Sequence, residues 1–165
     1  MALTTSPNLR FLLSHPAHFL GLGFGTGLAP KAPGTFGTLA ALPLFALLMQ
    51  LPEASHLVIL AFIFLIGIPI CGITGRNLGV SDHGGIVWDE IFAYMLVLEF
   101  TPKAWEWWLV AFLLFRLFDI WKPFPIRQCD RTLHGGLGVM FDDLLAAIYA
   151  IAALKGLQWL VMHYF

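Results

Sequence analysis

Asp89-Glu90, Asp119 and Asp142-Asp143 lie in or at the edge of the most hydrophobic stretches of this chain: IVWDEIFAYMLVL, WWLVAFLLFRLFDIW and GVMFDDLLAAIYAIAAL. A carboxylate there is expensive, about 2.5–3.5 kcal/mol at the centre of a membrane helix and less near the interface. Five of them in three segments point to a shared task. Oxygen donors suit a hard cation such as Mg²⁺, and intramembrane acids also carry protons. Basic residues stand nearby. Arg116 and Asp119 are three apart, hence neighbours on one helix face, and Lys122 is one further step of three, just before Pro123. Carboxylates for a metal beside cations for phosphate make a set suited to metal-assisted phosphoryl transfer. Structural roles fit the same residues singly: Asp142 as the cap of a helix, Arg116–Asp119 as an ion pair. Asp89 and Glu90 point about 100° apart on a helix, so one can ligate while the other meets a base.

The elements that must position these groups are apolar. The chain has 165 residues, enough for a single helical domain over 1–165, with 1–20 as an N-terminal lead and 21–162 as the bundle. It is 59% hydrophobic and 12% charged, with mean hydropathy +0.81. Soluble domains are about 25% charged, so the composition predicts a membrane protein or an unusually apolar bundle. A net charge of −1 argues against nucleic acid as a partner. Cys71 and Cys129 are too few for a disulfide framework. The first twenty residues lack an apolar core followed by a small-residue cleavage site, so no removable signal peptide is expected.

Apolar runs near 38–51, 56–73, 86–100, 104–121 and 142–162 predict about five helices, rich in Leu and Ala and too long for strands. Pro43 is expected in the opening turn of the first, and Pro69 inside the second. Pro52, Pro102 and Pro123 mark breaks. Tight loops at 52–55 and 101–103 alternate with long ones at 75–85 and 122–141. If each segment crosses once, one side receives all five acids together with Lys31, Arg76, Arg116, Lys122, Arg127 and Arg131. The other side has Lys103 and little else that is basic. The positive-inside bias makes the charged side cytoplasmic. Trp105-Glu106-Trp107-Trp108 reads as an interfacial anchor.

The glycine-rich opening, GLGFGTGLAPKAPGTFGTLAALP, is neither a P-loop nor a dinucleotide fingerprint, because the required residues are missing from the required positions. Its glycines could cradle phosphate beneath Lys31 or let helices pack closely; composition favours neither. Cys129 lacks the arginine that a cysteine phosphatase loop needs six residues on. His83 and His134 are loop histidines that could donate protons or ligate a metal, or simply be solvated. Transport of a proton or divalent ion competes with catalysis, but would need polar residues continuing across the bilayer. A purely structural membrane subunit is a third reading.

The blocks GFGTGLAPKAPGTFGTLAALP, DHGGIVWDE, FRLFDIWKPFPIR and HGGLGVMFDDLLAA resemble, in this order, the signature blocks of the phosphatidylglycerophosphatase A family. The resemblance runs from Gly23 to about Ala147. It implies an all-helical Mg²⁺-dependent enzyme of the bacterial inner membrane that hydrolyses the terminal phosphate of phosphatidylglycerophosphate, with bilayer lipid around it and no obligate protein partner. It further implies that Asp89, Glu90, Asp119, Asp142 and Asp143 form the acidic set. Asp89, Glu90 and Asp119 are expected to be catalytic, with Asp89, Glu90, Asp142 and Asp143 on the metal. Lys31, Arg116, Lys122 and Arg127 match the basic positions and are expected on phosphate. Thr35 and Asp82 fall in the shared blocks. Ala93 stands where family members often have glycine. Attack by water and direct attack by Asp119 or another carboxylate are both compatible with this set.

Overall fold

The computed structural model describes residues 6–164, which are all-helical. Residues 1–5 of the N-terminal lead and Phe165 lie outside the described residues. Two short helices, α1 (Leu9–Leu13) and α2 (Pro16–Gly21), are followed by a 3₁₀ segment at Gly23–Leu28. Then come α3 (Pro33–Leu48), α4 (Glu53–Leu78), α5 (Trp88–Glu99), α6 (Trp105–Trp121), α7 (Ile126–Thr132) and α8 (Gly135–Tyr164).

Helix α5 is the hub, packed against α3, α4, α6 and α8. Nine of its twelve residues are buried, from Trp88 and Asp89 to Leu98. At about 1.5 Å per residue it is roughly 18 Å long, short of a ~30 Å hydrocarbon core. Its neighbours therefore shield it along its whole length. Helices α4 and α8, with 26 and 30 residues, are long and apolar enough to cross a membrane. Two of the expected crossings thus satisfy the length criterion. Outward stripes such as Val58, Phe62 and Leu65 on α4, and Leu109, Leu113 and Leu117 on α6, are more than half exposed. A helix apolar on both its inner and outer faces suits lipid surroundings.

Small residues let the helices approach. On α8, Ala146, Ala147, Ala150 and Leu154 are fully buried along one stripe. Their spacing puts Asp143 on that same inward face, one turn earlier. Gly136 at the start of α8 touches the backbone of α4: an added Cβ would collide with the Ile68 carbonyl and lie 2.6 Å from the Gly72 nitrogen.

The element boundaries differ from the sequence expectations in ways with physical causes. The first apolar helix begins at Pro33, so Pro43 lies inside it. Its missing N–H removes one ladder bond, and the helix continues through it. Pro69 is likewise interior to α4, which runs on to Leu78 and stops at Gly79 in the left-handed region. The 122–141 stretch is not a loop throughout. It contains α7 and the first two turns of α8, whose Gly135-Gly136 start imitates a turn in sequence. Consequently Asp142 lies two turns inside α8 and caps nothing.

The N-terminal lead is docked on α4. Thr74 Oγ1 donates to the Ala17 carbonyl at 3.0 Å, and Asn77 Nδ2 lies 2.8 Å from His18 Nε2. The Val87 N–H, at the start of α5, donates to the Gly21 carbonyl at 2.9 Å.

Candidate active site

One end of the bundle carries a cleft of about 360 Å³. Its walls come from the start of α3, the 82–86 loop, the first turn of α5, the end of α6 and the third turn of α8. Asp82, Asp89, Glu90, Arg116, Asp119, Lys122, Asp142 and Asp143 all line it. Three chain-distant helices thus deliver the five acids to one place, and the 82–86 loop adds Asp82.

Local geometry explains how each side chain is aimed. Asp89 and Glu90 occupy the first turn of α5, where no side chain caps the helix. The positive dipole end of that turn favours carboxylates. Helix α6 ends at Lys122, whose backbone is left-handed (φ 47°) while its N–H bonds the Phe118 carbonyl at 2.9 Å. This unusual conformation for lysine turns Nζ between Asp130, at 3.0 Å, and Asp142 Oδ2. Arg116 Nη1 sits 2.6 Å from Asp119 Oδ2 and 3.6 Å from Glu90 Oε1, and donates to Thr38 Oγ1 at 3.5 Å. Gly34 faces this group directly: a Cβ there would strike Glu90 Oε1 and lie 3.0 Å from Arg116 Nη1. A side chain at 34 would have to displace the ends of Glu90 and Arg116, so this part of the glycine-rich opening serves close approach.

The carboxylates separate into two subsets. Asp89, Glu90 and Asp143 each offer one oxygen, all within 4.8 Å of one another. Asp89 Oδ1, Glu90 Oε2 and Asp143 Oδ2 are buried with no hydrogen-bond partner. Orphaned buried acceptors are costly, and three converging anionic oxygens repel one another. A hard divalent cation relieves both problems, so these residues fit one. Asp142 stands apart from the trio: its Oδ2 takes the Lys122 ammonium and its Oδ1 has no partner.

Burial also acts on the loop groups beside the cleft. Desolvation pushes the Asp82 carboxyl up, against the opposing pull of Lys122. For Lys122, burial works against the charge, but the bonds to Asp142 and Asp130 prevail and hold the ammonium above its ordinary range.

Two expected phosphate ligands do not line the cleft. Lys31 is exposed, one residue before Ala32, which does line it. Arg127 is exposed on α7. Thr35 lines a neighbouring apolar furrow. His83 Nδ1 accepts the Gly85 N–H at 3.0 Å, and His134 is exposed just before α8. Sequence reasoning missed Asp130, which anchors Lys122 from α7. No spacing signal marks it, because its stretch reads as loop. It missed Gly34 and Thr38 for the same kind of reason: their role is contact, not chemistry.

Comparison with known proteins bears directly on what this cleft does. The family model described as phosphatidylglycerophosphatase A matches residues 19–158. The chain belongs to the phosphatidylglycerophosphatase A family. It is 46% identical over 156 residues to phosphatidylglycerophosphatase A of Haemophilus influenzae, covering 93% of this chain and 96% of that one. It is 40% identical to the Escherichia coli phosphatidylglycerophosphatase A, covering 94% and 88%. A Bacteroides thetaiotaomicron chain, provisionally named a phosphatidylinositol-3-phosphatase, is 35% identical over 86% of this chain and 93% of its own length. No solved structure matches the chain. The family match spans all the cleft-lining residues, from Ala32 to Asp143.

Proposed function

We propose that this protein is a Mg²⁺-dependent lipid phosphatase of the bacterial inner membrane that converts phosphatidylglycerophosphate and water to phosphatidylglycerol and inorganic phosphate. The observation that carries this reading is the convergence of Asp89, Glu90 and Asp143, each with a buried oxygen that lacks a partner, with Arg116 and Lys122 in one cleft. The names of the 46% and 40% identical relatives supply the substrate.

In this reading Asp89, Glu90 and Asp143 hold the cation, with Asp142 at its edge. When bound, Mg²⁺ supplies Lewis-acid stabilisation of the charge on the phosphoryl oxygens. Arg116 is locked by Asp119 and offers its remaining N–H groups to two phosphate oxygens at once. Lys122, held between Asp130 and Asp142, neutralises further negative charge. Asp119 takes the proton of the attacking water. Its Oδ2 is paired with Arg116, which fixes the carboxylate beside the phosphate-binding guanidinium. The new bond joins water oxygen to phosphorus. The bond between phosphorus and the glycerol oxygen breaks, and that oxygen takes up a proton from solvent water while Asp119 returns its own to solvent. Lys31 and Arg127, outside the cleft walls, act on approach of the headgroup.

The competing transport reading needs a polar path. The far end of the bundle does hold a buried His56, 3.0 Å from Glu99. Between that pair and the cleft, α5 presents buried Ile91, Phe92, Met95 and Leu98. That apolar stretch supports an enzyme.

The test is phosphate release by the purified protein from phosphatidylglycerophosphate, phosphatidylinositol 3-phosphate and phosphatidic acid, with chelator and after adding back Mg²⁺. Release from the first, abolished by chelation and restored by Mg²⁺, is expected. Full turnover in the chelated sample removes the metal role, and exclusive turnover of another lipid removes the substrate assignment.

A further inference from the structure

Several cavities take no part in the proposed reaction, and one of them adjoins Arg116. A furrow of about 480 Å³ runs along the outside of the bundle between α3 and α6. Leu39 and Leu42 form one wall, Leu109 and Phe112 the other, and Tyr94 of α5 the floor. The Tyr94 hydroxyl donates to the Trp108 carbonyl at 2.8 Å, which fixes that floor. Apart from Thr35 at one end, the lining side chains are apolar or aromatic.

The furrow begins where the cleft ends. Pro33 and Gly34 line the cleft, and Thr35 lines the furrow. On α6, Phe112 lies one turn before Arg116, on the same face. Arg116 reaches across this seam to Thr38. Of two other apolar furrows, one lies among α4, α5 and α8, between Leu57 and Leu144, and one runs from Leu51 to Trp88, beside Asp89; neither includes a residue of α6, the helix that carries Arg116.

We infer that this furrow holds one acyl chain of the lipid substrate at the boundary between protein and bilayer while its phosphate occupies the cleft. The inference rests on the lipid-phosphatase reading above. A groove that is polar only at its Arg116 end matches a molecule with an anionic head and a hydrocarbon tail. The span from Trp105 to Phe112 is about 10 Å along the helix. With carbon–carbon bonds of ~1.5 Å laid in a zigzag, that accommodates about eight chain carbons. Binding the chain would orient the headgroup for in-line attack, because both ends of the molecule would then be fixed.

The experiment uses the full-length purified protein and water-soluble, single-chain analogues of phosphatidylglycerophosphate, with acyl chains of two to twelve carbons kept below their micelle threshold. kcat/KM should rise by up to about fourfold per methylene and level off near eight carbons. Leu39→Trp and Leu109→Trp fill the furrow at positions that are 43% and 52% exposed, so neither forces bulk into the core. Each should move the break to about four carbons and lower the plateau at least tenfold, while the two-carbon analogue is turned over as by the wild type. Val58→Trp, on the exposed face of α4, should leave the whole series unchanged. A rise without a break, or a break that neither tryptophan moves, overturns the inference. Absence of phosphate release from every analogue and from the intact lipid would instead overturn the enzymatic reading on which it stands.

Discussion

Asp142 and Asp143 are adjacent in sequence but meet different partners. About 100° of helical rotation turns Asp143 towards Asp89 and Glu90, and Asp142 towards Lys122. Replacing a carboxylate by an amide keeps volume and removes charge. Asp89→Asn and Asp143→Asn should therefore insert and fold, yet lose Mg²⁺ binding and at least two orders of magnitude in kcat. Calorimetric Mg²⁺ titration and phosphate release check this together; near-normal values in both variants would displace the metal site. Arg116 makes a second case. Lysine keeps the charge but not the planar fork that holds Asp119 and two phosphate oxygens together. Arg116→Lys should lower kcat/KM by up to ~2.7–4 kcal/mol equivalent, the range found when one transition-state donor is removed. Unchanged kinetics would make Arg116 only an ion-pair partner of Asp119.

At the scale of elements, the site depends on how closely helices approach. Gly136 allows α8 to meet the α4 backbone at Ile68 and Gly72, and this contact sets the height at which Asp142 and Asp143 enter the cleft. Backbone cannot rotate away as a side chain can. Gly136→Ala should destabilise by ~1–3 kcal/mol through overpacking, and lower activity with it. Gly156, farther along α8, is exposed and has nothing within 4 Å of an added Cβ. Gly156→Ala should stabilise by ~0.5–1 kcal/mol, from helix propensity alone. Denaturation in detergent, followed by helical circular dichroism, measures both. Equal effects at the two positions would show that the α4–α8 contact does not position the site.

For the whole molecule, the outward apolar stripes and the one-ended charge distribution imply a fixed orientation in the membrane. In the five-crossing arrangement we propose, the cleft and α7 face the cytoplasm and the end of α8 faces the opposite side. A Cys129→Ser background, with Cys71 buried, allows single reporters at exposed Gln128 and at Met162, which is 75% exposed. Labelling of intact cells with a membrane-impermeant thiol reagent should reach the residue-162 reporter and spare the residue-128 reporter. Equal labelling of both breaks the crossing count and leaves the cleft chemistry intact.

Much of this was legible from the sequence, because charge in an apolar run is a signal of type and needs no coordinates. The helical class and the Arg116–Asp119 spacing followed from composition and a 3.6-residue period, and the gathering of the five acids at one end followed from alternating the direction of successive segments. The family followed from four ordered blocks. What only the tertiary structure decided depends on distances between segments far apart in the chain. Helix packing divided the carboxylates into a trio on Asp89, Glu90 and Asp143 and a separate Lys122–Asp142 pair. It enlisted Asp130 from a stretch that reads as loop. It left Lys31 and Arg127 outside the cleft walls, although their charges match the expected roles. It also showed that Gly34 and Gly136 act by the side chain they lack. Periodicity reports which face a residue occupies, whereas the neighbour met there depends on the height and rotation at which two helices dock.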